Sequence, residues 1–172
     1  MAQGRTNHLL VLLDSRGRCY TLNPRELPSA RSQGEPVTTK LDLQDGGRIV
    51  AMMLGEPTEK FVLASDQGYG FYTQLGELQA RNRAGKAVVT VAAGATAMLP
   101  APLRDPATDR YALATAEGRL LVFSLAELPE MAKGKGNKLI VLKGADRILA
   151  ACVVGAGASM TLVCGKRTLT LK

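Results

Sequence analysis

The chain has 172 residues, 46% hydrophobic and 22% charged, the composition of a folded globular domain rather than a disordered tail. Its formal charge of +7 favours a polyanionic partner. No apolar run nears the roughly 18 residues of a membrane-spanning helix, and no signal-peptide pattern opens the chain. Cys19, Cys152 and Cys164 are an odd number in aliphatic settings, which argues against a disulfide framework and reads as reduced core cysteines of a cytosolic protein.

The first predicted strand covers residues 9–13, followed by the turn Asp14-Ser-Arg-Gly17 and a return strand over 19–22. A Glu26-Leu27-Pro28 corner and the basic loop Arg31-Ser-Gln-Gly34 come next. The pattern then restarts, with strands at 61–64 and 71–74 around Ser65-Asp-Gln-Gly68, a Glu77-Leu78 corner, and the loop Arg81-Asn-Arg83-Ala-Gly85-Lys86. Two further strands are expected at 87–91 and 96–99. Residues 100–106 read as a loop, because their prolines cannot donate to a ladder. A third round follows: strands 111–114 and 120–124 around Thr115-Ala-Glu-Gly118, the corner Glu127-Leu128-Pro129, and the loop Lys133-Gly134-Lys135-Gly136-Asn-Lys138. It closes with strands at 139–142 and 148–153. A fourth round begins at 160–164, turns at Gly165 and returns over 168–171. No segment keeps a 3.6-residue period over three turns, so helix should be limited to single turns at the corners.

Gly34, Gly85 and Gly136 recur at a spacing of 51 residues, and the corners and turn glycines keep almost the same beat. A repeat of this length, with apolar runs of strand size and paired turns, predicts an all-β, propeller-type fold of four-stranded blades. The expected organisation is one unit of about three complete repeats, 8–60, 61–110 and 111–159, with a partial fourth at 160–172.

Charge is unevenly distributed over these repeats. Residues 8–60 carry seven basic and seven acidic side chains, 61–110 five and four, and 111–172 nine and four, with no acid after Asp146. The positive field therefore grows toward the C-terminus, as expected of a nucleic-acid surface. The expected DNA-contacting side chains are Arg31, Arg81, Arg83, Lys86, Lys133, Lys135 and Lys138 in the loops, with Lys166 and Arg167 at the end of the chain. Gly34, Gly85, Gly134 and Gly136 would either let the backbone approach phosphates or meet the turn's own geometry. With aromatics at 4% and none in the basic loops, stacking on unpaired bases is a poor fit, and duplex DNA a better one.

The sequence offers little for catalysis. His8 is the only histidine, the cysteines form no CxxC pair, and Gly85-Lys86 and Gly165-Lys166 lack the rest of a P-loop. Arg110-Tyr111 has the look of a DNA-cleaving arginine–tyrosine pair. The repeat, however, puts Tyr111 where Phe61 stands, at the head of a core strand. No catalytic residue and no metal ligand is assigned.

The stretches Leu27-Pro-Ser-Ala-Arg31-Ser-Gln-Gly34-Glu-Pro36, Ala64-Ser-Asp-Gln-Gly68-Tyr-Gly70-Phe71, Ala80-Arg81-Asn-Arg83-Ala-Gly85-Lys86-Ala87 and Lys133–Lys138 resemble the C-terminal domain of bacterial type IIA topoisomerase A subunits. No intact Q-R-R-G-G-K-G box is present, which favours the topoisomerase IV type over gyrase. The resemblance implies a β-pinwheel with strands exchanged between blades and duplex DNA bent over its rim. It implies a non-catalytic DNA-capturing part of an ATP-dependent topoisomerase that decatenates and relaxes DNA. The cleaving tyrosine, ATP and Mg2+ would belong to other parts of that enzyme, so this chain itself would carry no cofactor. The implied partners are double-stranded DNA, the A-subunit N-terminal domains and the topoisomerase IV B subunit, with a condensin-type chromosome protein as a further contact. The implied place is the nucleoid in the bacterial cytoplasm, peripheral to the membrane at most through the parent complex. Such domains usually have more blades, so an excised piece lacking a blade at its start and most of one at its end is expected. The alternatives are gyrase-type DNA wrapping and a protein-interaction propeller.

Overall fold

In the computed structural model, residues 5, 7–29, 31–44 and 46–171 are described; Ala30 of the first resembling stretch and the terminal Lys172 lie outside them. Thirteen strands are present among the described residues. They are β1 (Leu9–Asp14), β2 (Arg18–Leu22), β3 (Ile49–Gly55), β4 (Lys60–Ser65), β5 (Tyr69–Gln74), β6 (Lys86–Ala87), β7 (Ala101–Leu103), β8 (Arg110–Thr115), β9 (Leu120–Ser124), β10 (Asn137–Lys138), β11 (Ile148–Val154), β12 (Met160–Cys164) and β13 (Arg167–Leu171). They form antiparallel sheets in the orders β3-β1-β2-β6, β10-β5-β4-β7, β11-β8-β9 and β12-β13. The expected all-β blade architecture is what the chain adopts, with four strands in the first two sheets, three in the third and two in the last.

The outer strand of each four-stranded sheet comes from the basic loop of the following repeat. In the first blade, Arg18 pairs with Ala87 and Cys19 with Lys86. In the second, Tyr69 pairs with Lys138 and Gly70 with Asn137. Each loop is thus stitched into the blade before it.

Both faces of the central strands are covered, which is why they read as unbroken apolar runs. With side chains alternating along a strand, Val11 and Leu13 of β1 meet Phe61 and Leu63 of β4 between the first two blades. Val62 and Ala64 of the same β4 face the other way, against Tyr111 and Leu113 of β8. The corners plug these seams. Single 3-10 turns at Leu75–Leu78 and Leu125–Glu127 bury Leu75 and Leu78 in the first seam and Leu125 in the second. Full burial of each such leucine is worth about 1.5–3 kcal/mol. Backbone bonds cross the seams at the matching repeat position: Ala97 N–H to the Ser15 carbonyl, 2.8 Å, and Ile148 N–H to that of Asp66, 2.9 Å.

Several sequence expectations need correction. Residues 100–106 hold a strand, β7, at the edge of its sheet. An edge strand needs donors on one side only, so Pro102 is tolerated there. The expected strands at 87–91 and 139–142 shrink to β6 and the preceding β10, because the loop leaves the neighbouring blade after one or two ladder positions. Residues 96–99 make only an isolated bridge, Ser65 with Ala97. Cys19 is buried, and burial foremost pushes its thiol up to about 12. Cys152 and Cys164 are exposed rather than core residues. They sit on the third sheet and the terminal hairpin, whose far faces have no covering blade among the described residues.

Asp146 anchors the third blade. Its carboxylate accepts hydrogen bonds from the Arg119 guanidinium at 2.8 Å, the Arg147 N–H at 2.9 Å and the Glu117 N–H at 3.0 Å. Burial pushes the carboxyl up, but these donors, Arg119 foremost, outweigh it and hold it below its usual value near 3.8. A depressed folded-state pKa stabilises the fold above that usual value, and the contribution is lost as pH falls through the folded pKa. Asp146→Asn is therefore expected to lower the unfolding temperature at neutral pH, with a penalty that shrinks on acidification. Thermal melts down to about pH 3 would show it, and a pH-independent penalty would refute the assignment.

Candidate nucleic-acid interface

The strand exchange places the second and third basic loops at the turn end of the hairpin before each. At the first seam the Arg18 guanidinium donates to the Ala84 and Gly85 carbonyls at 2.8–3.1 Å, and Val88 N–H reaches the Gly17 carbonyl at 2.9 Å. At the second, Leu139 N–H reaches the Gly68 carbonyl at 2.8 Å. Here the repeat position of Arg18 is held by Tyr69. Its ring lies 3.8 Å below the Lys135 Nζ and 6.0 Å from the Lys138 Nζ.

These seams also account for the loop glycines. Gly85 has φ +70°, and a Cβ there would sit 2.7 Å from the Tyr20 ring and 2.8 Å from the Cys19 carbonyl. Gly136 has φ +75°, and a Cβ would run into the Gly70 carbonyl. At both positions the close approach is to the neighbouring blade, not outward, and Gly85 is buried rather than exposed. Gly134 exchanges backbone bonds with Val88 and Thr90 at 2.8 Å. Only Gly34 stands open, with nothing within 4 Å of a Cβ. The amides of Gly34, Gly85 and Gly134 donate internally, to Ser32 Oγ, the Asn82 carbonyl and the Val88 carbonyl.

The cations fall into distinct groups. Arg83 is exposed, but its guanidinium donates to the Thr39 carbonyl at 2.7 Å and lies 3.6 Å from Asp42. Lys86 donates to the Glu77 carbonyl at 2.6 Å. Arg81, beside Lys86 along a groove bordered by Glu77 and Gln79, and Arg31 on the first loop are exposed. Lys133, Lys135 and Lys138 are exposed and make no ion pair among the described residues. Lys166 and Arg167 are exposed too, but they occupy the last hairpin turn and the start of β13, not a glycine loop. Repeat logic therefore groups them with Arg16 and Arg18.

Sequence reasoning missed Tyr69. It lies outside the basic loops in the chain, and only the cross-blade pairing with Lys138 brings it to them. The tyrosine it did weigh, Tyr111, is 1% exposed, meets Phe123 edge-on at 6.0 Å, and has its hydroxyl buried without a partner. It is a core residue, out of reach of any substrate. No helix among the described residues is long and apolar enough to cross a membrane.

Blades that lend an outer strand to the blade before them, with cationic loops at each seam, define a β-pinwheel with a basic rim. The chain belongs to the family described as DNA gyrase C-terminal domain, beta-propeller, matching it over 15–55, 59–96 and 109–154, one segment per repeat. Within that family it resembles the topoisomerase IV branch. It is 43% identical to the A subunit of DNA topoisomerase 4 from Pseudomonas aeruginosa over 99% of this chain and 24% of that protein. The corresponding Escherichia coli K12 protein is 40% identical over 99% and 23%. The chain thus spans about a quarter of the length of these relatives. Among solved structures, the E. coli ParC C-terminal domain superposes with a TM-score of 0.91 at 40% identity, covering 99% of this chain and 71% of that one. A DNA gyrase A C-terminal domain shares the fold at 0.67 and 14% identity, covering 88% and 49%.

Proposed function

We propose that this domain binds duplex DNA along its basic rim and presents a captured segment for strand passage by a topoisomerase IV-type enzyme. In that role it serves decatenation and supercoil relaxation at the chromosome, in the bacterial cytoplasm. The observation that carries the reading is the cluster Lys133, Lys135 and Lys138. These three exposed cations on one loop have no neutralising carboxylate among the described residues. Ammonium groups of this kind neutralise phosphates and release counterions without reading bases. In this reading Arg81, Lys86 and Arg83 on the second loop, Arg31 on the first, and Lys166 and Arg167 at the last hairpin turn supply further phosphate contacts. Cleavage, ATP and Mg2+ belong in this reading to other parts of the enzyme, the A-subunit N-terminal domains and the B subunit. Resemblance to topoisomerase IV at about 40% identity, against fold-level likeness to gyrase, supports bending and capture over gyrase-type wrapping.

The test is anisotropy of labelled duplexes across a salt series. Binding should weaken by roughly 0.9 log units per log unit of salt for each phosphate neutralised. Duplexes of different sequence should differ little, and single strands should bind more weakly. Salt-independent or strongly sequence-selective binding would be incompatible with the proposal.

A further inference from the structure

Two lysines at the seam between the second and third blades, Lys135 and Lys138, are held by an aromatic ring, whereas Lys60 and Arg147 at the same seam are held by carboxylates. Where a carboxylate fixes a basic side chain, as Asp42 does Arg83, Glu130 does Lys60 and Asp66 does Arg147, it also cancels the charge that a phosphate would meet. An aromatic face attracts an ammonium through its quadrupole and leaves the net charge intact. Tyr69 offers such a face to Lys135 at 3.8 Å and Lys138 at 6.0 Å. The backbone that carries the ring is held on both sides. Tyr69 is half-buried, its backbone pairs with Lys138, and its strand is clamped between β4 and β10. The groove beside it, about 270 Å³, is open and bordered by Gln67, Lys138, Gly144, Asp146 and Arg147. The Asp146 carboxylate is already taken up by Arg119 and the Arg147 guanidinium by Asp66, which leaves Lys138 as its uncommitted charge. One blade earlier the same repeat position is Arg18, whose guanidinium is committed to the carbonyls of the second loop.

Resting on the DNA-binding reading above, we infer that Tyr69 is a positioning residue for DNA. It pre-orders Lys135 and Lys138 over the seam groove, making that groove the principal phosphate seat of the rim. A lysine already held in place forgoes the ordering cost of contact, worth about two- to tenfold in affinity per immobilised side chain.

The test measures duplex affinity and salt slope for wild type, Tyr69→Leu, Tyr69→Phe, Lys135→Ala and Tyr69→Leu/Lys135→Ala, with melting temperature as a folding control. Tyr69→Leu should weaken binding about two- to tenfold with melting almost unchanged, and Tyr69→Phe should restore wild-type affinity. Lys135→Ala should cost less in the Tyr69→Leu background than in wild type, because the lysine's advantage depends on the ring. Wild-type affinity in Tyr69→Leu, or an equal loss in Tyr69→Phe, would overturn the inference while leaving DNA binding standing. Failure of the wild-type domain to bind duplex would overturn both.

Discussion

Replacing Lys133, Lys135 and Lys138 together by alanine is expected to weaken duplex binding on the order of tenfold or more at low salt. The salt slope should fall by about 2 to 3 units, since each neutralised phosphate contributes about 0.9. Folding should survive, because all three side chains are exposed and none belongs to the buried clusters. Replacing Arg81, Arg83 and Lys86 together should reduce the slope less. Arg83 already lies beside Asp42, and the Lys86 ammonium is bound to the Glu77 carbonyl. Arg31→Ala should have the smallest effect, on a first loop where Glu35 pairs with Lys40. Isotherms at several salt concentrations, with circular dichroism as a folding control, decide the ranking. An undiminished slope in the triple-lysine variant would place the DNA elsewhere.

The repeat was legible because the chemistry of a blade is local. An apolar run with both faces covered, a turn ending in glycine and a corner leucine that plugs the seam are each set by neighbouring residues. The long hairpin strands accordingly fall within two residues of expectation at either end, and the corners form the single turns anticipated. What stayed hidden depended on pairing across repeats. Nothing local to Lys86 or Lys138 says that one or two ladder bonds with the preceding blade will be its whole strand. The loop glycines show this most plainly. Their basic surroundings suggested backbone held open for phosphate, whereas the space beside Gly85 is filled by Tyr20 and that beside Gly136 by Gly70. Tyr69 was overlooked for the same reason, as its lysines arrive from about 66 residues further along the chain. Charge was the reverse case. The basic excess of the third repeat was visible from composition, but which cations are already engaged by carbonyls or carboxylates required side-chain geometry.

The glycine seams lead to a second large expected effect. Gly136→Ala forces a residue with a side chain into φ +75° and drives its Cβ into the Gly70 carbonyl. Backbone strain alone costs about 1–2 kcal/mol. The collision is with backbone of the acceptor strand β5, which is held by β4 on its other side, so it cannot swing away as a flexible side chain would. A total loss of about 3 kcal/mol or more is expected, read as a lower urea midpoint together with reduced protection of the amides of β10 and β5 from exchange. Gly85→Ala should behave similarly, its Cβ meeting both the Tyr20 ring and the Cys19 carbonyl. Gly34→Ala is the control. It has almost the same φ, +77°, but open space around it, so it should cost only the backbone strain, about 1–2 kcal/mol. Equal losses at 34 and 136 would mean that left-handed backbone alone, and not the blade-to-blade contact, dictates glycine at this repeat position. A larger loss at 136 would identify the Gly70–Gly136 approach as the point where the third basic loop is fastened to the second blade, and so as what holds Lys135 and Lys138 over Tyr69.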